Sequence, residues 1–320
     1  MENLLSVNNL RVGFDKEGKI LEALKDVSFS IAKGEKVALV GESGSGKTLL
    51  ALSILRLIEP PGKIIEGEII YKGKDILKMK EEELRKIRGK EISMIFQEPL
   101  SSLNPVLTIG YQVAEPFLIH TKTTKREAIE KAKELLKIVS ISDVDRVANA
   151  YPHELSGGMR QRAMIAMALA LNPSLLLADE PTTALDVTLQ AQFLNLLNDL
   201  VEKFSLTLIL ITHDFGVVSE TSDRVIVLYG GTICEDSPKA EIFKKPLHPY
   251  TKGLLESIPR RGEEKELKPI KGQVPPIGKF PAGCPFRDRC QSAFEKCSEK
   301  LPPLKEIENG RKVACFLYGD

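Results

Sequence analysis

The stretch Lys36-Val-Ala-Leu-Val40-Gly41-Glu-Ser43-Gly44-Ser45-Gly46-Lys47-Thr48 decides the fold. Its first five residues form a short apolar run bounded by Gly34 and Gly41, as a buried parallel strand would be. Gly41 to Thr48 then fit the phosphate-binding pattern G-x-x-x-x-G-K-[ST]. An apolar segment, Leu49 to Ile58, continues the loop as a helix and stops before Pro60-Pro61. The glycines let backbone N–H groups turn onto phosphate oxygens, and the helix N-terminus adds partial positive charge. Lys47 supplies a point charge for the β- and γ-phosphates, and the Thr48 hydroxyl is a ligand for Mg²⁺. The expectation is an ATP site with Gly41, Ser43, Gly44, Ser45, Gly46, Lys47 and Thr48 around the phosphates. A Gly-rich turn that matches by chance is the alternative, and the flanking strand and helix argue against it.

Working outward, the first ~75 residues read as short strands broken by Gly and Lys-Gly turns, for example Leu4 to Phe14, Val27 to Ile31 and Glu68 to Tyr71. Strand Ile92 to Phe96 leads into a loop holding Pro99 and Pro105. From Thr124 to Val139 the pattern turns helical, with Thr124 and Glu127 as a capping-box pair. A second helix runs from Ser156 to Leu171. Strand Leu175 to Ala178, helix Val187 to Phe204, strand Leu206 to Ile211, a short helix after His213 and strand Arg224 to Tyr229 then alternate. Such alternation implies a parallel sheet covered on both faces. After about residue 236 the texture changes. Eleven of the 19 prolines and four of the five cysteines lie there, and regular periodicity is lost.

Leu175-Leu-Leu-Ala-Asp179-Glu180 is an apolar strand ending in two adjacent carboxylates. Asp179 is expected to hold Mg²⁺ and Glu180 to act as the general base on the attacking water. Alone, such a pair is more often a solvated strand end; the phosphate loop gives it meaning. Leu155-Ser156-Gly157-Gly158-Met159-Arg160-Gln161-Arg162 places a hydroxyl and exposed amides at the start of a second helix, another anion-binding device. One nucleotide does not require two such devices in one chain. A head-to-tail dimer does, because each chain then closes over its partner's γ-phosphate.

Together these residues resemble the ATP-binding cassette family, over roughly residues 4 to 235. The resemblance implies an α/β fold, a P-loop NTPase (RecA-like) core with an antiparallel β subdomain, an α-helical subdomain at about 98–172 and an irregular C-terminal appendage. It implies a nucleotide-binding domain over 1–235 and an extension over 236–320. It also implies that Phe14, 33 residues before Lys47, stacks on adenine. Gln97 would touch Mg²⁺ and sense the membrane subunits, and His213 would sense the γ-phosphate. Ala184-Leu185-Asp186 would cross the dimer interface. Ser156, Gly157, Gly158 and Gln161 would face the partner's nucleotide. Met159 replaces a common Gln and Phe14 a common Tyr; stacking survives without the hydroxyl.

Met94-Ile-Phe-Gln-Glu-Pro-Leu-Ser-Ser-Leu-Asn-Pro105, Leu247-His-Pro-Tyr-Thr-Lys-Gly-Leu-Leu-Glu-Ser-Ile-Pro259 and Gly283-Cys-Pro-Phe-Arg-Asp-Arg-Cys290 resemble one branch of that family, the di- and oligopeptide importers. Residues 60–68 and 153–162 are more like the first of that branch's two paired ATPases. The implied partners are a sister ATPase subunit (or a second copy), two membrane permeases and, indirectly, an extracellular binding protein. The same features occur in importers of nickel and other small solutes. A soluble relative acting on nucleic acid or the ribosome is the reading from another class. Long coiled-coil insertions or a second cassette would mark it, and this chain has one cassette and neither of those.

Cys284, Cys290, Cys297 and Cys315 follow C-x5-C-x6-C-x17-C with no histidine among them. Four thiolates suit a soft metal. Structural zinc favours tighter C-x2-4-C spacing, whereas a [4Fe–4S] cluster accepts wider spacing, and Cys284-Pro285 is like the Cys-Pro beside ferredoxin ligands. Zn²⁺ or no metal are the alternatives, and a structural staple is the expected role. Cys234 lies outside the set and reads as an ordinary strand residue. The 45 basic and 44 acidic residues nearly cancel, which argues against a nucleic-acid partner. No stretch approaches the ~18 apolar residues of a membrane span, and the N-terminus lacks a signal-peptide pattern. The expected place is the cytoplasmic face of the cell membrane, as a peripheral subunit.

Overall fold

A computed structural model describes residues 3–98, 102–183, 185–258, 269–308 and 310–319. Pro99, Ala184 and Pro259, named above, lie outside the described residues. The chain divides into two compact units. One comprises Met1–Ala32, Lys36–Leu77 and Ile211–Asp320, the other Lys33–Glu35 and Lys78–Leu210.

In the first unit, β1 (Asn3–Lys16) and β2 (Lys19–Ala32) form an antiparallel hairpin joined by β4 (Gly62–Tyr71) and β5 (Lys74–Asp75), in the order β2-β1-β4-β5. Leu5, Val7, Leu10 and Val12 of β1 are fully buried. The same unit pairs β3 (Lys36–Val40) parallel to β9 (Arg224–Tyr229), with Val37 opposite Arg224 and Val40 opposite Val227. Antiparallel strands β10 (Thr232–Pro238), β12 (Arg311–Val313) and β11 (Lys305–Glu308) extend that sheet beyond β9. The helices here include α1 (Lys47–Ile54), α8 (Phe215–Thr221), α9 (Lys239–Lys244) and α10 (Pro249–Glu256). Val40, Val225, Val227 and Tyr229 share one hydrophobic core with Tyr250, Cys284, Phe286, Cys297 and Phe316. The proline-rich tail therefore packs into the core of the strands it follows and supplies two strands to their sheet.

In the second unit, β6 (Ile92–Ile95) runs parallel to β7 (Leu175–Asp179), with Ile92 opposite Leu175 and Ile95 opposite Ala178. β8 (Thr207–Thr212) follows in the order β8-β7-β6 and straddles the boundary between units. Every residue of β7 and β8 is buried, as a sheet covered on both faces requires. Its helices include α2 (Glu81–Ile87), α3 (Ile109–His120), α4 (Lys125–Ile138), α5 (Val144–Asn149), α6 (Gly157–Leu169) and α7 (Val187–Lys203).

Helix α1 starts two residues earlier and ends four earlier than the apolar pattern suggests. Arg56 is left-handed at φ 50°. The Arg56 N–H donates to Ser53 O and the Leu57 N–H to Leu52 O, a Schellman closure that ends the helix although apolar residues continue to Ile58. Among the described residues no helix is long and apolar enough to cross a membrane.

Candidate active site

The phosphate loop leaves β3 at Gly41 and enters α1 at Lys47 within the first unit. Gly46 caps α1 with φ 104°, a conformation that favours glycine, and a Cβ there would also press on Leu24 Cδ2 at 2.6 Å. Its turn is anchored from outside, since the Gly231 N–H donates to Ser45 O. The Lys47 ammonium donates to the carbonyls of Gly41 at 2.7 Å and Glu42 at 3.1 Å, which holds it over the loop. Ser45 is buried, and its Oγ has no hydrogen-bond partner among the described residues. A buried hydroxyl in that condition suits a phosphate oxygen. Ser43, Gly44 and Thr48 are exposed, Phe14 near the end of β1 is half-buried, and His213 is exposed just after β8.

The second unit carries the carboxylates. Asp179 ends β7 buried, at 2% exposure. Glu180 follows in the left-handed region at φ 42°, a conformation that costs a non-glycine residue on the order of 1–3 kcal/mol and concentrates at functional sites. Its Oε2 accepts from Gln97 Nε2 at 3.2 Å and from Thr183 Oγ1 at 3.1 Å. The structure thus brings Gln97, placed after β6, to Glu180, placed after β7. Thr183 went unremarked in the sequence, where only its position three residues after Glu180 pointed to it. Ser156 caps α6, its Oγ accepting the Met159 N–H at 3.4 Å, and Ser156 and Gly157 are exposed. Gln161, by contrast, is buried, and its Nε2 donates to Pro181 O at 3.0 Å within the same chain. Asp186 is exposed and caps α7, its Oδ1 accepting the Leu189 N–H at 2.9 Å.

Residues 24–183 match the family described as ABC transporter. The chain belongs to that family. Its fold is the α/β P-loop nucleotide-binding cassette of an ABC ATPase. Residues 234–297 match a second family, described as the C-terminal region of oligopeptide/dipeptide transporters. The oligopeptide transport ATP-binding protein AppD of Bacillus subtilis (strain 168) is 52% identical over 320 residues, covering 99% of this chain and 98% of AppD. The dipeptide transport ATP-binding protein DppD of the same organism is 46% identical, covering 99% of this chain and 95% of DppD. Among solved structures, a dimeric post-hydrolysis state of the ATP-binding cassette MJ0796 bound to ADP and Pi is similar at TM-score 0.66 and 33% identity. That match covers 73% of this chain and 98% of MJ0796.

In this ABC ATPase the tail cysteines converge. Cys284, Cys290, Cys297 and Cys315 line one apolar pocket together with His248, Phe286 and Phe316. Gly283, at φ 75°, makes the approach possible, because a Cβ there would collide with Cys297 O. The Cys284 N–H donates to that same carbonyl at 2.8 Å. All five cysteines are free thiols. Burial first, and the neighbouring thiols second, push Cys284 up to about 11 and raise Cys290 and Cys315 as well. Cys234, in β10, is buried in the adjoining core. Among the described residues, however, no group of three or more His, Cys, Asp or Glu side chains is arranged to hold a metal ion. The four cysteines named for a metal thus share a pocket, but neither an iron–sulfur nor a zinc site is shown among the described residues.

Proposed function

We propose that the chain is the ATP-hydrolysing subunit that energises import of di- or oligopeptides through a membrane ABC transporter. The observation that carries the hydrolytic half is the Glu180 carboxylate, held by Gln97 and Thr183 directly after a buried Asp179. The cargo half rests on the similarity of nearly the whole chain to peptide-transport ATP-binding proteins. In this reading the amides of Ser43 to Gly46 and the Lys47 ammonium bind the phosphates, Ser45 Oγ accepts a place beside them, and Phe14 stacks on adenine. Glu180 takes a proton from the water that attacks the γ-phosphorus as the bond to the ADP oxygen breaks, giving ADP and phosphate. His213 senses the γ-phosphate. Thr48, Gln97 and Asp179 would be the oxygen donors for Mg²⁺, which would offset the negative charge of the phosphates. Ser156, Gly157 and Gly158 serve the nucleotide of a partner chain, with Gln161 holding their helix to Pro181 and Asp186 facing the interface. The partners are a sister ATPase or a second copy, and two permeases that keep the chain at the cytoplasmic membrane face. An extracellular peptide-binding protein feeds them.

Replacing Glu180 by Gln keeps the side-chain shape and removes the base. ATP turnover is expected to fall at least about a hundredfold, the scale of general-base loss, while ATP affinity is retained. Unchanged turnover removes Glu180 from this role. Four convergent free thiols also support an iron–sulfur cluster in the tail, on donor chemistry alone. Visible absorption with iron and sulfide assays of anaerobically purified protein tests it, and a colourless, iron-free preparation contradicts it.

A further inference from the structure

Glu42 is the second residue of the phosphate loop, a carboxylate placed where a polyanion has to bind. Within the first unit it is met by the tail. Arg289 Nη1 donates to Glu42 Oε2 at 2.7 Å and Arg289 Nη2 to Glu42 Oε1 at 3.0 Å, a two-pronged pair. The Arg289 side chain is only 6% exposed, so the pair is shielded from water on the arginine side. Its Nε also donates to Lys271 O and its Nη1 to Tyr229 Oη, and the guanidinium lies 5.6 Å from the Tyr229 ring centroid. Tyr250 adds a second tie: the Glu42 N–H donates to Tyr250 Oη at 2.8 Å. Arg289 and Tyr250 come from two tail segments, 283–290 and 247–259, whose sequence carries no sign that either touches residue 42.

We propose that Arg289 is a positioning residue for ATP binding. By neutralising and fixing the Glu42 carboxylate, it keeps that charge from repelling the triphosphate and holds the loop in its nucleotide-accepting shape. The tail then completes the phosphate site, although it lies nearly 250 residues downstream of it. Arginine suits the task better than lysine because its planar fork matches both carboxylate oxygens at once. The inference rests on Gly41 to Thr48 being the ATP phosphate loop, and loss of ATP binding in Lys47→Ala checks that assignment separately.

The experiment is a double-substitution cycle on the full chain, reading the dissociation constant of Mg-ATP by calorimetry. Arg289→Ala is expected to weaken ATP on the order of tenfold, the scale of one uncompensated charge near the site. Glu42→Gln in the same chain is expected to restore affinity to within about threefold of wild type, since the charge that Arg289 neutralises is then gone. A loss that Glu42→Gln does not repair makes Arg289 a purely structural residue and overturns the proposal, as does an Arg289→Ala chain that binds ATP normally. If Arg289→Ala does not fold, Arg289→Lys replaces it, with a smaller loss that Glu42→Gln again repairs. A wild-type chain that binds no ATP overturns the reading of the loop and this inference with it.

Discussion

Glu180 combines a left-handed backbone with a carboxylate held from two sides, and each feature alone has an ordinary explanation. Together they fix where one oxygen pair points, which is what a base on water requires. The tail offers a second residue-scale case. His248 is 2% exposed, its Nδ1 accepting the Tyr250 N–H at 3.0 Å. Burial, and then the charge of Lys252, hold its pKa down to about 3 against an ordinary 6.5. A histidine whose folded pKa is depressed stabilises fully above its unfolded pKa and loses that contribution as pH falls from about 6.5 toward 3. Between pH 7 and 5 the wild-type chain is expected to lose about 2 kcal/mol more stability than His248→Asn, which keeps an acceptor without titrating. Urea midpoints at the two pH values measure the difference, and equal losses would remove His248 as the titrating group.

At the scale of elements, local chemistry explains most boundaries. Thr124 Oγ1 accepts the Glu127 N–H, and Glu127 Oε2 accepts the Thr124 N–H at 2.9 Å, so α4 begins where its capping box stands. Thr124→Ala is expected to cost about 1 kcal/mol, read as faster amide exchange in the first turn of α4, with ATP turnover unchanged. Strand β9 runs from Arg224 to Tyr229, and Val225 to Tyr229 are buried, because a strand covered on both faces is written in the sequence as an unbroken hydrophobic stretch. Where the reading failed, a non-local or unusual partner decided. Arg56 closes α1 in a position glycine usually takes. Strand β10 contains Cys234, which reads as a strand residue, but its polar half is hidden: Glu235 is buried because its carboxylate accepts the Leu247 and His248 N–H groups, and Asp236 because it pairs with Arg224. Neither partner is visible from the segment itself.

For the whole molecule, the strand and helix flanking Gly41 to Thr48, the strand ending at Asp179 and the helix capped by Ser156 were legible because each is written in contiguous residues. In the tail, the importer resemblance of residues 247–259 and 283–290 was legible and the packing was not, because the segment is tied down by distant pairs: Arg289 to Glu42, Arg311 to Glu241, and apolar residues that complete the core of β3 and β9. The proposed function gives the chain one anion-binding device in its loop and another at Ser156, the second acting on the nucleotide of another chain. The most direct measurement sets Ser156→Arg beside Lys47→Ala and reads ATP affinity and ATP turnover for each. Lys47→Ala is expected to lose both, whereas Ser156→Arg is expected to keep its own ATP within about twofold and to lose turnover by at least about a hundredfold. A Ser156→Arg chain that loses ATP affinity as fully as Lys47→Ala, or that turns over ATP at the wild-type rate, would contradict it.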